Sequence, residues 1–167
     1  MLERLPLPSR LGLLALLGSG ALLGGAYYFQ YVEGLAPCDL CFWQRYPHMV
    51  AIAMGLLAVA SAAWPRLAII FTMSAIIALF VTSGIGIYHT GVEQHWWQGP
   101  AECSGRIPPG LTMEQLKKYL LNARMVRCDE PAWTLMKISM AGWNAILSGA
   151  LAVFMVNRMA THLKTES

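Results

Sequence analysis

Four stretches of this chain run for about 20 residues each without a charged side chain: Leu11 to Val32, Tyr46 to Pro65, Leu67 to Tyr88 and Ile138 to Asn157. A helix of that length crosses a hydrocarbon core of about 30 Å. Lipid offers the backbone no hydrogen-bond partner, so each run must satisfy its own N–H and C=O groups as a helix. With 56% hydrophobic and 13% charged residues the chain is too apolar for an ordinary soluble domain. The pattern predicts an all-α membrane protein. Its expected form is a four-transmembrane-helix bundle, one domain over 1–167, with helices at about 11–32, 42–64, 67–89 and 138–158. A long outer loop over about 91–137 is expected to carry a short interfacial helix.

Arg4 and Arg10 precede the first run and Gly24-Gly25-Ala26 offers small residues, as a signal peptide would. The run continues into Tyr27, Tyr28, Phe29 and Tyr31, an interfacial aromatic anchor, so it is read as a retained helix. Charge alone does not orient the bundle. Arg4, Arg10, Arg66, Arg158 and Lys164 lie on one side; Arg45, Arg106, Lys117, Lys118, Arg124, Arg127 and Lys137 lie on the other. Cysteine chemistry favours an oxidising compartment for the second side. The expectation is a bacterial inner membrane protein with cytoplasmic termini and periplasmic cysteines. The net charge of +3 comes with no basic stripe of interleaved aromatics, so nucleic acid is not an expected partner. The tail from His162 to Ser167 is expected to be loose.

Most aromatic residues gather at the cysteine side, which an interfacial belt explains in large part. In the long loop, Thr112 and Gln115 have capping-box spacing. Leu116, Tyr119, Leu120 and Ala123 then recur at helical spacing, fit for a helix lying flat on the membrane.

The chemistry resides in the cysteines. In Pro37-Cys38-Asp39-Leu40-Cys41, the proline disfavours helix before it, so a helix should begin near Cys38. Cys38 and Cys41 then share a face in its first turn, where the helix dipole and unpaired N–H groups stabilise a thiolate. Arg45 follows one turn beyond Cys41 with a permanent charge. Cys103 and Cys128 lie in the long loop. Two thiol pairs on one side of a membrane fit a relay delivering disulfide electrons to something dissolved in lipid. A structural zinc would need four converging ligands, and Cys103 and Cys128 do not form a second knuckle. Two inert disulfides are the other alternative, although a C-x-x-C bridge closes too small a loop to stabilise much. His48 and His89 fall in or beside membrane segments, where polar groups tend to be functional. His48 is expected to be a partly wet interfacial side chain, and His89 a hydrogen-bonding partner for a ligand carbonyl.

The order of these elements resembles the DsbB family of inner-membrane thiol oxidases. The resemblance is carried by four helices, Pro37-Cys38-x-x-Cys41 with Arg45, Tyr88-His89-Thr90-Gly91-Val92-Glu93, and Trp97-x-Gly99-Pro100-x-x-Cys103. Cys128-Asp129 and Ser139-Met140-Ala141-Gly142-Trp143-Asn144 complete it. It implies an enzyme, a quinone-dependent protein-disulfide oxidoreductase that regenerates a periplasmic thioredoxin-fold, DsbA-like partner and reduces ubiquinone or menaquinone. By motif match Cys103 is attacked by the partner, Cys128 passes electrons to Cys38, and Cys41 is the thiolate facing quinone. Arg45 and His89 match quinone-contacting positions. No metal is implied. The non-enzymatic alternative is a small membrane scaffold or metal-handling protein with structural cysteines.

Overall fold

A computed structural model describes residues 5–100, 110, 112–115, 117 and 126–166. Four long helices account for most of them: α1 (Leu7–Tyr31), α2 (Asp39–Ala60), α3 (Pro65–Glu93) and α4 (Met140–Glu166). α1, α3 and α4 are long and apolar enough to cross a membrane. α2, which carries Asp39, Gln44, Arg45 and His48 in its first half, falls outside that criterion.

The helix ends depart from the sequence expectation for local reasons. α1 starts at Leu7, not near 11, because Pro8 falls in the first turn, where its missing N–H costs nothing. α2 starts at Asp39, not 42: Cys38 is extended and its sulfur accepts the Cys41 backbone N–H, so the cysteine itself caps the helix. α2 ends at Ala60 in a short turn, and α3 then begins on Pro65 and runs four residues past 89. α4 continues through His162 and Lys164 to Glu166, so the tail expected to be loose is helical.

The all-α expectation also misses a two-stranded ladder. β1 (Thr134–Leu135) pairs antiparallel with β2 (Ile138–Ser139) across Met136 and Lys137, whose φ angles are +53° and +65°. Two left-handed residues make the mirror-image turn whose twist suits a hairpin. That turn ordinarily advertises itself as Asn-Gly, and Met-Lys gives no such signal. In the long loop the Thr112 hydroxyl accepts the Gln115 N–H at 3.3 Å while the Gln115 side chain accepts the Thr112 N–H at 3.0 Å, a reciprocal capping box. The apolar face expected at Leu116, Tyr119, Leu120 and Ala123 lies outside the described residues, Leu116 and 118–125 being beyond them.

α2 packs between α1 and α3, and α3 packs on α4. Small residues line these seams: Ala15, Ala51, Ala58, Ala75 and Ala152 are fully buried. Large apolar side chains such as Leu17, Ile70, Ile77 and Phe154 face outward. Lipid is as apolar as leucine, so helices gain by close backbone approach and by hydrogen bonds between them. Ser9 donates to the Ala58 carbonyl, Thr72 to the Pro8 carbonyl and Ser83 to the Ala145 carbonyl, each at 2.8 Å.

The tightest approach is at Gly55, where a Cβ would stand 2.5 Å from the Gly12 carbonyl oxygen and 3.0 Å from the Leu16 nitrogen. Both obstacles are backbone, so Gly55→Ala must part α1 from α2. It is expected to destabilise by about 1–3 kcal/mol, as overpacking does. Gly20→Ala, with nothing within 4 Å, should leave the thermal midpoint in detergent unchanged or slightly raised. Equal midpoints for the two variants would contradict the close α1–α2 seam.

Candidate functional site: a thiol cluster beside an apolar cavity

Cys38 and Cys41 are brought together by the first turn of α2. Both are free thiols, their sulfurs lie 3.1 Å apart, and Cys38 donates to Cys41. Cys38 is buried with Leu40, Val92 and Cys128 in a small cluster at the ends of α2 and α3. Cys128 is disulfide-bonded. Its sulfur, the Cys38 sulfur and a ring nitrogen of His89 all lie within 4.8 Å of one another. Cys103 lies outside the described residues.

Beside Cys128, Arg127 grips Asp129 through two bonds of 2.9 and 2.7 Å and reaches Glu130 at 3.2 Å. The hydrogen-bonded Arg127 guanidinium holds the Asp129 carboxyl below its ordinary range. The clamp is local, tying the residues on either side of the cysteine.

His89 departs from its expected place. It is buried, its Nδ1 accepts from Gln44 Nε2 at 2.8 Å, and its Nε2 faces Cys38 Sγ at 3.6 Å and Glu93 Oε1 at 3.8 Å. It is an element of the thiol cluster and is not on the cavity wall. His48 is not the partly wet side chain expected of it: it is 3% exposed and bonded through Nε2 to Asn144 Oδ1 at 2.8 Å. Sequence periodicity put His48 near a helix end. It could not show that α4 brings an asparagine to meet it.

α2 and α4 do not pack closely against each other. Between them and α1 opens a cavity of about 400 Å³, within the usual range for a small-molecule site. Its wall is mostly apolar, with Leu23, Phe29, Trp133 and Trp143 among its residues, and Cys41, Gln44, Arg45, His48 and Asn144 supply its polar edge. Arg45 is 6% exposed. It donates to the Gln30 side chain and to the Ala26 carbonyl, and its guanidinium lies 5.0 Å from the Tyr27 ring and 5.1 Å from the Phe42 ring. Flanking aromatics favour a cation there. The guanidinium has five N–H donors, more than these two acceptors use. Gln30, Gln44 and Asn144 were not singled out as site residues from the sequence. The available signal was a polar amide in or beside an apolar run.

The arrangement suits thiol–disulfide exchange. One cysteine, Cys41, faces a cavity fit for an apolar molecule with polar groups at one end. Its partner, Cys38, faces the disulfide-bonded Cys128. The three-atom cluster of Cys38, His89 and Cys128 has soft ligands for zinc, but Cys128 is committed to a disulfide, which leaves an incomplete set.

A thiol pair, one member buried and the other on a cavity wall, at the end of a bundle of apolar helices defines a membrane thiol–disulfide protein. Residues 8–157 match the model of the family described as "Disulfide bond formation protein DsbB", and the chain belongs to that family. It is therefore a multi-pass membrane protein of disulfide bond formation, a disulfide-forming oxidoreductase by family. Disulfide bond formation protein B of Stutzerimonas stutzeri (strain A1501) is 34% identical over 151 residues, covering 86% of this chain and 89% of that one. The protein named "Uncharacterized protein RP370" of Rickettsia prowazekii (strain Madrid E) is 30% identical over 135 residues, 80% of this chain and 77% of that one. Disulfide bond formation protein B of Polaromonas naphthalenivorans (strain CJ2) is 29% identical over 166 residues, 95% and 97% of the two chains. No solved structure matches.

Proposed function

We propose that this protein reoxidises a periplasmic, thioredoxin-fold thiol oxidase of DsbA type and passes the electrons through two cysteine pairs to ubiquinone or menaquinone. The supporting observation is the double exposure of one thiol pair: Cys41 on the cavity wall, Cys38 within 4.8 Å of Cys128. The helix ends that carry Gln30, Cys38, His89 and Asn144 are tied to one another, which supports four crossings with all cysteines on the periplasmic side of the inner membrane and both termini in the cytoplasm.

A bound quinone supplies a two-electron acceptor that takes up two protons. The residues present fit its head group. The apolar wall excludes water, Arg45 has N–H donors to spare for a carbonyl oxygen, and His48 Nδ1 is buried without a partner among the described residues. The partner's two thiols lose two electrons and two protons and end as a disulfide. Within this chain, with Cys38 and Cys41 first oxidised to a disulfide, each transfer is thiolate attack on a disulfide sulfur, first at Cys103 and then, by Cys128, at Cys38. Cys41 leaves as a thiolate on the cavity side.

Quinone content of the extracted protein, measured together with its metal content, tests this assignment. Co-purifying quinone with substoichiometric metal is the expected result. Bound zinc without quinone would favour the metal-handling alternative, to which the Cys38–His89–Cys128 proximity points.

Arg45 is expected to set quinone affinity. Arg45→Met should raise the quinone KM by roughly tenfold or more, the loss of a charge-assisted hydrogen bond. Arg45→Lys should raise it less, keeping the charge without the planar fork. An unchanged KM in Arg45→Met would leave Arg45 as an interfacial anchor only.

A further inference from the structure

Four side chains on three helices, with Gln44, His48 and His89 buried and Asn144 partly so, form a continuous hydrogen-bonded line from the cavity to the thiols. His48 Nε2 meets Asn144 Oδ1 at 2.8 Å, Asn144 Nδ2 meets Gln44 Oε1 at 2.7 Å, and Gln44 Nε2 meets His89 Nδ1 at 2.8 Å. His89 Nε2 then faces Cys38 Sγ at 3.6 Å. A histidine or an amide can in principle take part in such a line in either direction.

Here the direction is fixed from outside the line. Gln44 Nε2 also lies 3.3 Å from the Leu40 carbonyl oxygen, which only accepts, so the amide nitrogen must be on that side. Thr82 spends its hydroxyl proton on the Gln44 carbonyl oxygen at 3.0 Å, leaving only a lone pair for Asn144, which therefore presents its nitrogen at 3.0 Å. Ser148 donates to Asn144 Oδ1 at 3.0 Å, agreeing with that orientation. Two backbone carbonyls thus set both amides, and the amides set both imidazoles.

We propose that Gln44 and Asn144 are positioning residues that lock the two buried histidines in the Nε2–H tautomer, so that His89 holds an N–H toward Cys38 Sγ while His48 keeps a bare Nδ1. At the thiol end, the Nε2–H is shared between the Cys128 backbone carbonyl and the Cys38 sulfur, which must accept negative charge whenever Cys38 is attacked or leaves. At the other end, His48 lines the cavity and its Nδ1 has no partner among the described residues. His48 is therefore an acceptor toward whatever binds there, matched to a hydroxyl, whereas Arg45 is a donor matched to a carbonyl. This division rests on the proposed quinone function, since a quinone carries carbonyls when oxidised and hydroxyls when reduced. The tautomer lock itself does not.

The lock also bears on metal binding. An Nε2 that carries a proton has no lone pair for a cation. Occupation of the Cys38–His89–Cys128 cluster by a metal would require both amides to turn against their backbone acceptors.

The test is nitrogen NMR of the full-length protein, labelled with ¹⁵N-histidine, in detergent or lipid discs and without quinone or partner. At a pH where both rings are neutral, His48 and His89 should each show a protonated Nε2 and a bare Nδ1. Gln44→Leu should shift the His89 Nδ1 resonance toward that of an unbonded nitrogen and leave the His48 tautomer in place, held by Asn144 and Thr82. A general packing defect would not produce that selective change. A protonated Nδ1 on either histidine of the unmodified protein would overturn the proposal, and so would an unmoved His89 signal in folded Gln44→Leu. The unmodified protein alone decides the matter if the variant fails to fold. The measurement uses no electron acceptor, so failure of the quinone assignment would leave its outcome intact, and the reverse holds too.

Discussion

Cys41→Ser is expected to reduce dithiol-driven quinone reduction to background while leaving the helices folded. Among the described residues Cys41 is the one cysteine on the cavity wall, one helical turn before Arg45. A serine hydroxyl keeps the size of the side chain, but it can neither form the Cys38–Cys41 disulfide nor act as a thiolate. Electrons arriving at Cys38 would then have no onward path. The buried Cys38 should still undergo exchange with Cys128, because their sulfurs are neighbours independently of Cys41. The measurement is loss of quinone absorbance after mixing with a reduced thioredoxin-fold oxidase. Undiminished turnover in Cys41→Ser would remove Cys41 from the path.

Cys128→Ser is expected to accumulate a mixed disulfide between the partner and Cys103. In the proposed sequence the partner's thiolate attacks Cys103 and Cys128 leaves. Cys128 then attacks Cys38, already within 4.8 Å. With serine at 128, Cys103 is a lone thiol: its thiolate attacks the disulfide of the oxidised partner, joins one partner sulfur and releases the other as a thiolate, and no Cys128 thiol is left to carry electrons on to Cys38. Thiolate exchange depends on access and alignment as much as on driving force. The short Cys128–Cys38 separation therefore makes this variant a strong trap. A non-reducing gel with peptide mapping reads the result. An adduct mapped to Cys41, or no adduct with any oxidised thioredoxin-fold oxidase, would contradict the order of transfer.

The sequence announced the helices well because the signal is dominated by one cost: a charge or an unpaired backbone group in hydrocarbon. The uncharged runs located the long helices of the described residues, three of them long and apolar enough to cross a membrane, and Pro37 was enough to place the start of α2 near Cys38. The capping box at Thr112 and Gln115 was readable for the same reason, since it is a local pairing. The hairpin was not, because Met136 and Lys137 adopt a turn their side chains do not advertise. The site was half legible. Cysteines and Arg45 declare themselves by type and spacing. What lay hidden was which neighbours they meet. His89 looked like a ligand contact and lies against Cys38. His48 looked wet and is sealed by Asn144, nearly a hundred positions along the chain. Gln44 is polar on a helix that otherwise reads as apolar from Tyr46 onward, and only its bonds to Leu40, His89 and Asn144 give it meaning. Long-range pairing of polar groups follows from how α2, α3 and α4 converge, and no local pattern encodes it.

The most direct measurement is stoichiometry in a closed system. The purified protein is placed in liposomes under anaerobic conditions with ubiquinone, and a reduced thioredoxin-fold oxidase is added. Thiols consumed and quinol formed are then counted together. The relay predicts one partner disulfide for each quinol, with no reaction when quinone is left out beyond the few equivalents stored in the protein's own cysteines. Thiol oxidation that proceeds without quinone, or quinone left unreduced while partner thiols disappear, would contradict it.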